Sequence, residues 1–295
     1  MSLRPGPVLV TGCSTGIGRA VALRLARDGH VVHATARRPD TIADLEAAGC
    51  SVGPLDVVDP DSAAAAVEHV LGRHGRIGGL VNNAGYAEYG PLEEVPLAAA
   101  RRQLETNVIG LVGLTQLVLP HMRAAGAGRV VNIGSVGGRV TFPAGGWYHA
   151  SKYALESLSD ALRVEVAPFG VRVSLVEPGP IRTAFGDTAV GTLTAPQSVD
   201  GSPYGDLTRS VETTVRGYYD NPLLARGTDP VVRAVVHALT SQRPRSRYLV
   251  TPTARLLVAI RRWGGDRGWD AFVRRQFSVP GLRRDHAGGP ARARG

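Results

Sequence analysis

Pro7-Val8-Leu9-Val10-Thr11-Gly12-Cys13-Ser14-Thr15-Gly16-Ile17-Gly18 is the stretch on which the fold turns. Its first four residues make a short apolar run, the pattern of a buried strand. Ile17, Val21 and Leu25, with Ala20 and Ala22, then recur at helical spacing until Asp28-Gly29. A glycine just past the last periodic residue reads as a helix stop. Gly12, Gly16 and Gly18 lie at the junction. Glycines there let the backbone turn tightly and approach a pyrophosphate at the helix N-terminus. The spacing is not the strict G-x-G-x-x-G, because Val21 stands at the last position. Strand, glycine turn and helix in that order still predict a phosphate-binding crossover rather than a bare loop.

The same alternation continues outward. Strands are expected over 30–36, 50–55, 79–82, 129–133 and 171–176. Helices are expected over 41–48, from Asp59-Pro60 to His74, over 97–119 and over 148–167. Strands alternating with helices predict βαβ units, an α/β fold with one Rossmann-type, doubly wound parallel sheet covered by helices on both faces. Ligands of such sheets bind beyond the carboxyl ends of the strands. After Pro178-Gly179 the pattern breaks. Residues 184–206 are rich in Gly, Thr, Pro and Ser with little periodicity, so 184–225 is expected to be a substrate lid. Helices over 207–219 and 230–239 and a strand over 247–250 follow. The expected organisation is a catalytic domain over 1–253, a helical extension over 254–282 and a disordered tail over 283–295.

The 295 residues suffice for one large core, and 43% hydrophobic with 20% charged residues describes an ordinary globular chain. No apolar run is long enough to span a bilayer and the N-terminus lacks a signal-peptide core. Cys13 and Cys50 have no metal-ligand spacing, so no metal is expected and a reducing cytoplasm fits. The net charge of +9 could suggest nucleic acid. From Arg255 to Gly295, however, ten Arg face three Asp, a surplus of 10 − 3 = +7. The remaining chain is nearly balanced and has no basic stripe with interleaved aromatics.

Of the 34 cationic residues only Lys152 is a lysine. A chain this biased toward arginine keeps one ammonium where a compact charge, and not a planar fork, is required. Lys152 lies four residues after Tyr148, on the same helix face. A phenol beside a fixed cation should ionise more easily, which makes a general acid/base. Ser135, after the fifth strand, could hold a carbonyl oxygen. Asn82-Asn83-Ala84-Gly85 ends the fourth strand, and Asn107 sits within a helix although Asn is a mediocre helix former. The second strand ends Ala34-Thr35-Ala36-Arg37-Arg38 without the carboxylate that an NAD ribose needs, which favours NADP(H) over NAD(H).

Together these residues resemble the short-chain dehydrogenase/reductase family over about residues 7–183. Thr11-Gly12 through Gly16-Ile17-Gly18, with Ser14 and Thr15, matches its cofactor loop. Asp56 matches the acid that contacts adenine, and Asn83-Ala84-Gly85 belongs to its NNAG element. Asn107, Ser135, Tyr148 and Lys152 match its catalytic tetrad. Pro178, Gly179, Ile181 and Thr183 match the segment that holds the nicotinamide carboxamide. The sequence departs at Gly134, where Ser is frequent, and at Cys13, where Ala is common. Thr15 stands where some NADP users carry a basic residue, which leaves Arg37, with Arg38 and Ser14, for a 2′-phosphate.

The resemblance implies hydride transfer between nicotinamide and a carbonyl or secondary alcohol. Tyr148 exchanges the proton, Lys152 lowers its pKa and binds ribose, Ser135 holds the oxygen, and Asn107 fixes a helix kink and a water. The setting of Val136-Gly137-Gly138 and Trp147-Tyr148-His149 resembles the branch of 17β-hydroxysteroid and retinol dehydrogenases. It implies a hydrophobic, steroid-, retinoid- or polyketide-like substrate in a pocket lined by Phe142, Trp147, Phe185, Leu193, Tyr204, Tyr218 and Tyr219. A homodimer or homotetramer built on helices 97–119 and 148–167 is implied. The apolar residues among arginines in 254–277 could touch an anionic membrane or pack on their own domain. A dinucleotide-sensing regulatory protein on the same fold is the alternative, and an intact Tyr/Lys pair argues against it.

Overall fold

The computed structural model describes residues 6–193 and 201–277. Seven strands form one sheet: β1 (Val8–Val10), β2 (Val32–Ala36), β3 (Ser51–Pro54), β4 (Gly79–Asn82), β5 (Gly128–Ile133), β6 (Val171–Glu177) and β7 (Arg247–Leu249). All pairings are parallel and the order is β3-β2-β1-β4-β5-β6-β7. The sheet is continuous-run apolar because both faces are covered. Val8 and Val10 enter the cluster beneath α1 (Gly16–Arg27) and α8 (Asp229–Thr240), while Leu9 enters the opposite cluster with α2 (Pro60–His74) and α4 (Leu111–Ala124). Adjacent strand residues point to opposite faces, so three residues of β1 serve two cores. Each such fully buried Val or Leu contributes about 1.5–3 kcal/mol.

β1 neighbours β2 on one side and β4 on the other. The chain reverses direction across the sheet there, and a crevice opens at the strands' carboxyl ends. Local chemistry fixes the elements around it. Asp59 caps α2 by accepting from the N–H groups of Asp61 and Ser62 at 3.0 and 3.4 Å, and Gly75 ends it in the left-handed region. Such a cap is worth about 1 kcal/mol.

Two expectations need correction, and the structure adds detail at two further places. Residues 41–48 are not an α-helix: a 3-10 stretch runs from Pro39 to Leu45, and it buries Ile42 and Leu45, three residues apart, on one side. That spacing suits three residues per turn. The helix expected over 97–119 is three pieces, α3 (Leu97–Leu104), a π-helical turn Glu105–Gly110, and α4, which extends to Ala124. Gly110 in that turn lies against the Val57 carbonyl, where a Cβ would come within 2.4 Å of the oxygen. Residues 184–193 are helical (α6, Ala184–Leu193), followed after the undescribed 194–200 by α7 (Gly205–Asp220). The C-terminal extension carries α9 (Pro252–Gln276) with a non-helical Gly265, and its expected end over 278–282 and the tail over 283–295 lie outside the described residues.

α9 spends most of its apolar residues on its own domain. Leu257, Trp269 and Phe277 are buried, and the Trp269 indole donates to the Thr141 carbonyl at 3.1 Å. Leu256 and Trp263 remain 61% and 82% exposed. No helix among the described residues is long and apolar enough to cross a membrane.

Candidate active site

The crevice widens into a cleft of about 880 Å³. One end is built by the glycine turn. Gly12 and Gly16 adopt φ of +70° and +61°, which favours glycine. At Gly18 a Cβ would lie 2.4 Å from Asn83 Nδ2 and 2.5 Å from the Gly12 oxygen, so its side of the turn is closed to any side chain. Asn83 holds the turn: its Nδ2 donates to the carbonyls of Thr11 and Gly12 at 2.9 and 3.0 Å. Thr11 Oγ1 accepts in return from the N–H groups of Asn83 and Ala84 at 3.0 and 2.9 Å. In the sequence Thr11 stands only as the residue that opens the glycine loop; its bonds to Asn83 and Ala84 give it the added role of holding that loop to the β4 exit.

Ser14, Thr15, Gly16 and Ile17 line the cleft at the start of α1. Thr15 makes no side-chain cap and the first turn carries no acid. The first N–H groups of α1 therefore lack the usual partners, and a helix N-terminus with free donors suits an anion. Arg37 and Arg38 follow β2, are exposed, line the same end, and form no ion pair among the described residues. Asp56 lines it as well. Ala84, Gly85, Pro178, Gly179, Ile181 and Thr183 extend the wall toward the middle. The Val136 N–H donates to the Pro178 carbonyl at 2.7 Å, so the β6 exit is tied to the loop that carries Ser135. Donors, cations and a long cleft fit a dinucleotide.

Tyr148 and Lys152 share one face of α5 (Gly146–Glu165), with Lys152 Nζ 6.0 Å from the Tyr148 ring centre. Ser135, at the exit of β5, stands close enough to the Tyr148 phenol to favour its ionised form, and its Oγ accepts from the Gly137 N–H at 3.0 Å. Lys152 Nζ donates to the Ile133 carbonyl at 3.0 Å. Burial pushes the Tyr148 phenol up to about 12, and Ser135 pulls the other way. Burial also pushes the Lys152 ammonium down to about 8. Burial thus sets the direction at Tyr148, opposite to the shift expected of a phenol beside a cation.

Asn107 and Gly18 do not line the cleft. Asn107 sits in the π-helical turn and is buried. Its Nδ2 donates to the Tyr86 carbonyl at 2.9 Å and to Ser151 Oγ at 3.0 Å, and its Oδ1 accepts from the Tyr86 N–H at 3.1 Å. It thus joins the residue after Gly85 to the residue before Lys152.

The far end of the cleft is apolar and aromatic. Phe142, Phe185, Tyr218 and Tyr219 line it as expected. Three expected residues do not. Trp147 packs on Val95, Ala99 and Ala100, Leu193 on Ala144 and Phe277, and the Tyr204 hydroxyl donates to Glu93 at the surface. Sequence reasoning missed Tyr89, Val211, Val215, Leu257 and Phe277, which complete the wall from distant elements. It also passed over His149 as a site residue. His149 Nε2 accepts from the Phe142 N–H at 3.2 Å, so Nδ1 carries the proton and donates to the Gly137 carbonyl at 3.0 Å. Burial pushes this imidazole down to about 4. It clamps the loop between Ser135 and the aromatic wall.

A glycine turn under free helix donors at one end, a tyrosine–serine–lysine cluster in the middle and an apolar pocket beyond define a nicotinamide-dependent oxidoreductase fold. The short chain dehydrogenase family model matches residues 7–192, and the chain belongs to that family. Among its relatives, the uncharacterized oxidoreductase YbbO of Escherichia coli (strain K12) is 37% identical over 260 residues, 86% of this chain and 89% of that protein. Human 17-beta-hydroxysteroid dehydrogenase type 1 is 39% identical over 264 residues, covering 83% and 77% of the two chains. A solved short-chain dehydrogenase from Streptomyces avermitilis superposes with a TM-score of 0.76 at 33% identity, covering 88% of this chain and 92% of that one.

Proposed function

We propose that this oxidoreductase uses NADP(H) to interconvert a carbonyl and a secondary alcohol on a bulky, uncharged, hydrophobic substrate. The observation that carries the reading is the convergence of Tyr148, Ser135 and Lys152 on the cleft that the glycine turn opens. The nicotinamide supplies the hydride. Gly12, Ser14, Thr15, Gly16 and Ile17 receive the pyrophosphate at the N-terminus of α1. Gly18 and Asn83 hold that turn in shape. Arg37 and Arg38 receive the 2′-phosphate, and Asp56 faces the adenosine. Ala84, Gly85, Pro178, Gly179, Ile181 and Thr183 bound the nicotinamide half.

Tyr148 then gives its proton to the carbonyl oxygen in reduction. A phenol held at about 12 is fully protonated at neutral pH, which suits an acid. Ser135 donates a hydrogen bond to the same oxygen and stabilises the charge that develops on it. Lys152 offers its ammonium to the ribose and to the proton path. Asn107 is a positioning residue that sets the spacing of Gly85 and Lys152. Phe142, Phe185, Val211, Val215, Leu257 and Phe277 give the cleft a largely apolar wall, which supports an uncharged substrate. The name of the 17-beta-hydroxysteroid dehydrogenase relative supports a steroid-like size.

We further infer a homodimer or homotetramer: Leu97, Ile109, Tyr153, Leu158 and Val164 are exposed apolar residues on α3, the π-helical turn and α5. Two free, buried cysteines suit the cytoplasm. The test is a panel of steroid, retinoid, aliphatic and aromatic ketones, each run with NADPH and with NADH. Consumption of NADPH with a bulky ketone supports the reading; consumption of neither cofactor with any ketone sinks it.

A further inference from the structure

Tyr89 is a second phenol in the substrate end of the cleft, and the proposed chemistry does not use it. It lies just beyond β4, and its backbone N–H is pinned to Thr192 Oγ1 of α6 at 2.9 Å. Its ring stands 5.8 Å from the Tyr148 ring, centre to centre, at 47°. Phe185 flanks Tyr148 on another side at 5.7 Å. Burial pushes the Tyr89 phenol well above its ordinary value, and the nearby Tyr148 and Tyr219 phenols push it the same way. It is therefore neutral and able to donate at any physiological pH.

A buried tyrosine hydroxyl usually finds a protein partner. The Tyr89 hydroxyl has none among the described residues, yet it is not sealed off, because it opens on the cleft. The wall around it carries the apolar side chains Phe142, Val211, Val215, Leu257 and Phe277, with the Tyr218 and Tyr219 phenols as other polar groups. One of a few polar groups in a largely apolar wall, and with its ring against that of Tyr148, it can fix orientation and specificity.

Resting on the reading above, we propose that Tyr89 is a specificity-determining residue. It binds a second oxygen of the substrate, a hydroxyl or carbonyl within a few bonds of the reacting carbon. The substrate class is an uncharged, bulky ketone or secondary alcohol with a neighbouring oxygen, such as an α-hydroxyketone. The reacting oxygen goes to Tyr148 and Ser135 and the second to Tyr89. Only one orientation of the two places both, so one face of the carbonyl is presented for reduction.

The test compares Tyr89→Phe with the wild type on 1-tetralone and 2-hydroxy-1-tetralone, with NADPH. Phenylalanine keeps the ring and its packing. A net hydrogen bond of about 0.5–1.5 kcal/mol predicts a fall in kcat/KM of roughly threefold to tenfold on the hydroxyketone. The monoketone should change by less than about twofold. Equal losses on both ketones, or no loss on the hydroxyketone, overturn the assignment of Tyr89 alone. A wild type inactive on both ketones, with either cofactor, overturns the functional reading and this inference with it.

Discussion

Replacing Lys152 by methionine should make the protein more stable while removing its activity. The ammonium is buried and burial pushes its pKa from 10.5 to about 8. Its one hydrogen-bond partner among the described residues is the Ile133 carbonyl, at 3.0 Å. Each pKa unit corresponds to about 1.4 kcal/mol, so at pH 7 the folded state carries a penalty of roughly 3 kcal/mol for this charge. Because the folded pKa lies below the unfolded one, the unfolded chain binds more protons between about pH 8 and 10.5. Stability from this group is therefore lowest below pH 8 and rises through that window. By pH 9.5 the amine is largely neutral when folded, and the remaining penalty is about 1 kcal/mol. Methionine fills the same channel without the charge. Urea unfolding of wild type and Lys152→Met at pH 7 and pH 9.5 measures the difference. The expected gap favours the mutant at pH 7 and shrinks by about 2 kcal/mol at pH 9.5. The other titrating groups, Tyr148 and Cys13 among them, are common to both proteins and cancel in the comparison. A mutant less stable at pH 7, or a gap that does not narrow with pH, would refute the reasoning.

Two further outcomes follow from the cofactor end. Arg37→Ser should weaken NADPH binding by roughly tenfold to a hundredfold, the worth of a charge-assisted hydrogen bond, and leave NADH binding nearly unchanged; titration of reduced-cofactor fluorescence reads both, and parallel losses would contradict the 2′-phosphate role. Gly18→Ala places a methyl against Asn83 and the Gly12 oxygen. It should cost roughly 1–3 kcal/mol of stability and weaken both cofactors alike; an unchanged melting temperature with unchanged affinity would show that the turn has slack.

The sheet was legible because its strands are apolar on both faces and bounded by Gly, Pro and Asp. The cofactor loop, Ser135, Tyr148 and Lys152 were legible because each stands at a strand end or on one helix face. Other features leave no local trace. A π-helical turn at Glu105–Gly110 adds one residue to a periodicity that otherwise runs on, so 97–119 reads as a single helix. α6 is rich in Gly and Thr and forms where Thr192 can hold Tyr89. The pocket wall was the least legible part. Leu257 and Phe277 reach the cleft from α9 and its end, and no spacing in sequence relates them to Tyr148. The direction of the Tyr148 shift was misread for the same reason: the neighbouring cation is visible in sequence, and burial is not.

The most direct measurement is ketone reduction by Tyr148→Phe alongside its NADPH affinity. A positioned general acid is worth roughly a hundredfold to ten-thousandfold. The mutant should lose turnover on that scale and bind NADPH within about twofold of the wild type. Turnover within a few-fold of the wild type, at unchanged affinity, would contradict the assignment of the proton to this phenol.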